Sequence, residues 1–271
     1  METFYFGRLN YKSKYDLFEL LNYGNKFRDK NSNTQYGIFS IETIEDKDLG
    51  VVFSGELVKY QDIKEEPVVK DDILTIEYIR DYIQGRARFF LIEKNHLIAY
   101  NPYGNIISPK RFCEAFSGVI IGADDTFNVD SLIYPINQEY EFMNFLQKMR
   151  SLNKLTLKLT PSNPNSRDLW KDIDERLNNM HVKVYTEEMQ AMDNESIVVD
   201  EITESKIKMA QDGYGKAKGE GKDEDGNEVT ISTEESESIM KKKIENNLMV
   251  REQFFSLKNV FEKILRRFNN K

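Results

Sequence analysis

Between Lys154 and Thr160 leucine alternates strictly with polar residues: Leu155, Leu157 and Leu159 fall on one side, Lys154, Thr156 and Lys158 on the other. A two-residue period fits a half-buried β-strand and no helix. The strand sits in a rhythm of strand, helix, strand, helix, strand that begins near Phe127. Val129–Ile136 reads as a strand, and Glu139–Arg150 places Tyr140, Met143, Phe145 and Leu146 at helical spacing. After the loop Pro161-Ser-Asn-Pro164, Ser166 caps a helix carrying Leu169, Trp170, Ile173 and Leu177, and His181–Tyr185 predicts the returning strand. Strands alternating with helices of this length predict a two-layer α/β sandwich, ferredoxin-like or related.

The chain before it reads as mixed hairpins and helices. Phe4 and Phe6 open an amino-terminal strand. Asp16 caps a short helix through Leu17, Leu20 and Leu21 that Gly24 stops. Tyr36–Thr43 and Val51–Tyr60 flank a polar turn, and Arg88–Glu93 with Leu97–Tyr100 form a second hairpin. Ser108-Pro109 starts a helix whose Phe112, Cys113 and Phe116 face inward. The last part predicts a hairpin of Lys206–Lys218 with Asn227–Ser232, turning at Asp225-Gly226. A long helix then starts at Ser232 or Thr233, its stripe of Phe254, Leu257, Phe261, Ile264 and Phe268 repeating at three- and four-residue steps. The expected class is therefore α+β: an N-terminal mixed hairpin/helix domain (1–127), then a sandwich domain (128–271) with a β-hairpin and a long C-terminal helix.

Chemistry-bearing patterns are sparse. One cysteine excludes an internal disulfide and fits a reducing cytosol, and with two histidines it leaves little to build a zinc site. Asp223, Asp225 and Gly226 resemble part of a calcium loop, but its end positions fall on Gly221 and Ser232, so a plain turn is expected. Glu220-Gly-Lys222 matches the Glu-x-Lys of metal-dependent nucleases in what reads as a loop. Cys113 lies on an apolar helix face, where cysteine is a small core residue, and its pairing with His96 as nucleophile and base is not expected. No run approaches a membrane span, and the start lacks a signal peptide. The expectation is a cytoplasmic protein with no cofactor, no metal and no membrane insertion.

Charge is uneven. From Ile239 onward nine basic residues meet three acidic ones, a net of +6, so the preceding chain carries −14 of the total −8. Nucleic-acid contact is therefore expected through Lys206, Lys208, Lys216, Lys218 and Lys222 of the hairpin and Lys241, Lys242, Lys243, Arg251, Arg266 and Arg267 of the helix. Tyr214, between two glycines, offers a stacking surface. The long Phe-rich stripe predicts a homodimer.

The opening Phe4-Tyr-Phe-Gly-Arg8 strand and the Phe89-Phe-Leu-Ile…Leu97-Ile-Ala-Tyr100 hairpin are two elements of a layout. A Lys-flanked hairpin around Asp-Glu-Asp-Gly before a long terminal helix is the third. Together they resemble the RexA-type phage-exclusion proteins and related small anti-phage defence families. That resemblance implies a two-domain α+β protein that dimerises and binds DNA with little sequence preference to trigger abortive infection. The expected function is non-enzymatic phage defence or superinfection exclusion, by binding nucleic acid or a partner protein. The alternatives are a metal-dependent nuclease of a defence system and a phage-encoded acidic inhibitor of a host protein.

Overall fold

The structure is a computed structural model of the chain. It describes residues 1–271 except 14, 24–25, 29–32, 123–129, 139–140, 163–166, 236 and 270–271. Gly24, Phe127, Val129, Glu139, Tyr140, Pro164 and Ser166, which mark boundaries in the sequence reading, lie outside the described residues.

The first half comprises β1 (Glu2–Lys12), α1 (Leu17–Asn22), β2 (Lys26–Arg28), β3 (Thr34–Asp46), β4 (Gly50–Lys70), β5 (Ile73–Ile92), β6 (Leu97–Tyr100) and α2 (Pro109–Ile121). Then follow β7 (Asp130–Pro135), α3 (Glu141–Lys148), β8 (Ser151–Leu159), α4 (Lys171–Asn179), β9 (Tyr185–Gln190) and α5 (Glu201–Met209). The chain closes with β10 (Gly215–Lys222), β11 (Glu228–Ser232), β12 (Lys241–Ile244) and α6 (Val250–Asn269). A 3-10 turn (Asp168–Trp170) precedes α4, and a π-helical turn (Ala210–Tyr214) follows α5.

The predicted two-layer sandwich is overturned. Among the described residues strand outweighs helix, 45% against 30%, and the dominant element is an eight-stranded antiparallel sheet, β12-β1-β6-β5-β4-β3-β2, with β7 also on β1. A separate four-stranded sheet runs β11-β10-β8-β9. The 127/128 division is not a division of the sheets, because β7 and β12 both pair with β1. They share one flank of that strand and meet at Phe6, whose N–H donates to Met240 O and whose carbonyl accepts from Ile136 N–H.

The centre of the large sheet is buried on both faces, which is why β5 and β6 end in unbroken apolar runs. Leu9, Phe89, Leu91, Ile98 and Tyr100 face α1 and α2, whereas Phe4, Phe6, Phe90, Ile92 and Leu97 face α6. Asp16 accepts from Phe18 N–H at the start of α1, and Ser108 accepts from Arg111 N–H at the start of α2, as predicted.

The α6 stripe closes the second face. Phe254, Leu257, Phe261 and Ile264 are buried at home, each stabilising the fold by ~1.5–3 kcal/mol. A stripe spent inside the monomer cannot carry the homodimer predicted from it. Lys258, on the same helix, donates to Asp46 (2.9 Å) and Asp48 (2.6 Å) in the β3–β4 turn.

In the small sheet Leu155, Leu157 and Leu159 point inward as their alternation requires, onto Trp170, Leu177, Ile207 and Tyr214. Three predicted boundaries differ. The returning strand is Tyr185–Gln190, not His181–Tyr185, because His181 takes φ 54° in a turn. Lys206–Lys218 is not one strand: residues 201–209 are helical, capped by Asp200, which accepts from Thr203 N–H. The terminal helix starts at Val250, and Lys241–Lys243, predicted on it, form strand β12.

Candidate functional site

The nominated basic residues fall in separate places. Lys216, Lys218 and Lys222 come together on the solvent face of β10, beside Lys154 and Lys158 of β8. That face is a lattice of alternating charge: Lys216–Glu234 (3.0 Å), Lys218–Glu220 (2.5 Å), Lys222–Glu228 (3.8 Å) and Lys154–Glu188 (2.9 Å). The hydrogen bond from Lys218 lowers the Glu220 pKa, and the bond to Glu188 raises that of Lys154. Glu220-Gly-Lys222 is thus on a strand, not in the expected loop, and Glu220 is engaged by a lysine. No aromatic side chain lies on this face among the described residues, so it lacks the stacking platform of a single-strand binder.

Lys206 and Lys208 sit on α5, paired with Glu187 (2.5 Å) and Glu204 (2.7 Å). Lys241, Lys242 and Lys243 line the edge strand of the large sheet, where lysines deter further strand pairing, and Lys242 donates to Asn259 (2.8 Å). Arg251 is exposed on α6, Arg266 pairs with Glu262 (3.8 Å), and Arg267 turns inward. Tyr214 is fully buried against Trp170 (ring centroids 5.1 Å apart) and unavailable for stacking on a base.

Arg267 belongs to a buried polar cluster where the two sheets meet. The π-helical turn carries Asp212 into it, 3% exposed on its side chain. Asp212 Oδ2 accepts from Trp170 Nε1 (3.0 Å) and Arg167 Nη1 (3.2 Å), and Oδ1 lies 3.7 Å from Arg267 Nη1. Arg8 reaches across from β1, donating from Nε to Asp212 O (3.1 Å) and from Nη1 to Asn95 O (2.9 Å). Its guanidinium lies between the rings of Tyr214 (4.6 Å) and Phe268 (4.7 Å). Asn10 Nδ2 donates to Gly213 O (2.8 Å), and Gly213 itself, at φ 87°, leaves only 2.8 Å from its absent Cβ to Arg8 Cβ. One buried carboxylate faces two guanidinium groups, Arg167 and Arg267, and so joins elements of both sheets. Nothing in the sequence marks Asp212 in advance, since its partners come from β1, the 3-10 turn and α6.

Cys113 is a core residue, as predicted. Its Sγ donates to Tyr100 Oη (3.4 Å), and burial pushes its thiol up to about 12, against a smaller lowering by that hydrogen bond. The His96 ring stands edge-on to Tyr11 (5.5 Å). Among the described residues no group of three or more His, Cys, Asp and Glu is placed to hold a metal ion, and no helix is long and apolar enough to cross a membrane.

The feature that sequence reasoning passed over is the β4–β5 hairpin. β3 leaves β4 after Thr34 opposite Gln61, and β6 leaves β5 after Tyr100 opposite Phe89. The two strands continue alone to the turn at Asp71-Asp72, both residues at positive φ. About nine residue pairs at ~3.3 Å per residue make an arm on the order of 30 Å long. Within the sheet below it, Glu56 pairs with Arg88 (2.8 Å) and Arg86 (3.7 Å). These residues also line an open groove of about 700 Å³ together with Tyr5, Asn101 and Tyr103. Asp81, at φ 50°, bends the arm where it departs. The available signal was the run Ile73-Leu-Thr-Ile-Glu-Tyr-Ile79, rich in strand formers and preceded by a turn pair.

No curated protein matches this chain. A family model described as a domain of unknown function, DUF4747, matches residues 2–265, which takes in both sheets, the arm and nearly all of α6. The chain belongs to the DUF4747 family.

Proposed function

We propose that this protein acts by binding a protein partner through the β4–β5 arm, without chemistry of its own, in phage defence or superinfection exclusion. The observation that carries the binding half is the arm: a two-stranded ribbon standing off the sheet with Ile63, Val69, Leu74, Ile76 and Tyr78 more than half exposed. Apolar surface of that extent on a projecting element is the mark of an interaction site. The ion pairing of Lys206, Lys208, Lys216, Lys218 and Lys222 favours a protein over a nucleic-acid partner, since phosphate contact would first have to break those pairs. The defence half rests on the resemblance of the sequence to phage-exclusion proteins.

The test is plating efficiency of a phage panel on cells expressing the full chain or a variant with residues 62–82 replaced by a tight glycine-containing turn, its fold checked by circular dichroism. Protection by the full chain that disappears with the arm is the expected result. Protection that survives arm removal refutes the arm as the binding surface, and absence of protection by the full chain refutes the defence setting.

A further inference from the structure

Residues opposed across the two strands of the arm share a face, because the register holds from Lys70 opposite Ile73 to Ile63 opposite Arg80. One face carries the paired charges, with Val68, Ile73 and Ile79 among them: Lys64 pairs with Glu66 (3.2 Å), Lys70 with Glu77, and Thr75 Oγ1 donates to Val68 O. The other face carries Ile63, Pro67, Val69, Leu74, Ile76 and Tyr78. Of these, Ile63, Val69, Leu74, Ile76 and Tyr78 are between 56 and 73% exposed. An isolated two-stranded ribbon is marginal in water, and this one presents its apolar side to solvent with neither strand nor helix over it among the described residues. The bare patch is on the order of 600 Å², at the upper limit for a monomer and most of the ~800 Å² per partner of a standard interface.

The two charges on that same face choose the occupant. Glu65 stands opposite Tyr78, and Arg80 opposite Ile63. Neither makes an ion pair among the described residues, whereas their charged neighbours on the opposite face do. The chain as a whole carries −8, yet this face holds one charge of each sign and is neutral. A neutral apolar surface with one unmatched acid and one unmatched base complements itself: a two-fold contact forms each cross-pair twice. A polyanion finds no cationic excess there, and an anionic bilayer meets the acidic turn Asp71-Asp72 first.

We propose that this face binds a second copy of the chain, arm against arm, with Glu65 of each arm turned to Arg80 of the other. This assignment rests on the arm being a protein-binding surface and says which protein it takes. The arm, not the α6 stripe, is then the dimerisation element.

The experiment measures the mass of the full-length protein by light scattering and sedimentation over about 1–50 μM, the range in which modest interfaces populate dimers. A dimer is expected for the natural chain. Glu65→Arg and Arg80→Glu should each weaken association about tenfold or more, and the double reversal should recover most of it, because the pair is rebuilt with signs exchanged. Leu74→Lys with Ile76→Lys should give a monomer of unchanged circular dichroism. A monomeric natural chain at every concentration, or a dimer indifferent to Leu74→Lys/Ile76→Lys, overturns the proposal, as does a double reversal no better than the singles. A monomer that still needs its arm to protect cells removes the second copy but keeps the protein-binding reading. A dimer lost with the arm, in a variant that still protects, keeps the second copy and shows that protection does not run through the arm.

Discussion

Replacing Asp212 by Asn keeps the shape of the side chain at the junction of the two sheets and removes its charge. The amide oxygen can still accept from Trp170 Nε1, now 3.0 Å from Oδ2, but Arg167 (3.2 Å) and Arg267 (3.7 Å) lose their shared counter-ion. Both arginines are held well inside, at 14% and 5% side-chain exposure, so water compensates little. Removing one member of a buried ion pair costs about 3–5 kcal/mol, mostly the penalty of the charge left behind. We take the lower end, about 3 kcal/mol, because Arg8 engages the backbone carbonyl of residue 212 and keeps its own hydrogen bond. For a chain of this size that corresponds to a melting temperature lower by ~6–12 °C. Trp170 is the one tryptophan of the chain and lies in the cluster, so its fluorescence during urea unfolding reports on the site directly. A loss below about 1 kcal/mol would mean that the guanidinium groups are solvated in the native state, and the reading of the cluster as a buried clamp would be refuted.

Gly213→Ala should destabilise by about 2 kcal/mol or more in the same assay, since the position needs positive φ and the new methyl meets Arg8 Cβ at 2.8 Å; a neutral result would place the π-helical turn elsewhere. Leu157→Ala should cost about 2–5 kcal/mol, as a fully buried side chain in the small-sheet core. Cys113 should resist alkylation in the native protein at pH 8 and react once unfolded in urea, because burial holds its thiol up to about 12; mass spectrometry reads both states, and rapid native labelling would contradict the burial. Burial pulls the Asp46 pKa up, but the Lys258 hydrogen bond and the amides of Leu49 and Asp48 outweigh it and leave it below 3.8. The carboxylate is therefore favoured by folding: its contribution is present above about pH 4 and lost as pH falls below, so Asp46→Asn should narrow the stability difference between pH 6 and pH 3.

Local rules were legible where local chemistry decides. Asp16 and Ser108 cap as their side chains dictate, the Leu155–Leu159 alternation survives intact, and Asp223 closes the turn at Gly226 by accepting from Asn227 N–H. What stayed hidden was partnership across long separations. Lys241–Lys243 follows Glu234, Glu235 and Glu237, which imitate the acidic first turn of a helix, yet pairing of residues 241–244 with β1 wins over that local preference. The same non-locality conceals Asp212 and brings β7, from beyond residue 127, onto β1. The arm was overlooked for a different reason: Val68-Val69, Ile73-Leu74 and Tyr78-Ile79 break its alternation, and the apolar residues of one face point at water, which the pattern of a strand does not declare.

The position of β1 also sets the order in which the molecule can be finished. Its one flank is met by residues 97–100, but the other needs residues 130–135 and then 241–244. At ~5–20 residues per second of synthesis, that strand waits roughly ten to fifty seconds with part of its edge unpaired. The emerging chain therefore carries a sticky, half-built sheet for most of its time on the ribosome, and its final closure is the slow kind that distant pairing imposes. Production of this protein should depend on chaperone supply more than its final compactness implies, and deletion of its last strand and helix should leave an aggregating fragment, not a smaller folded one.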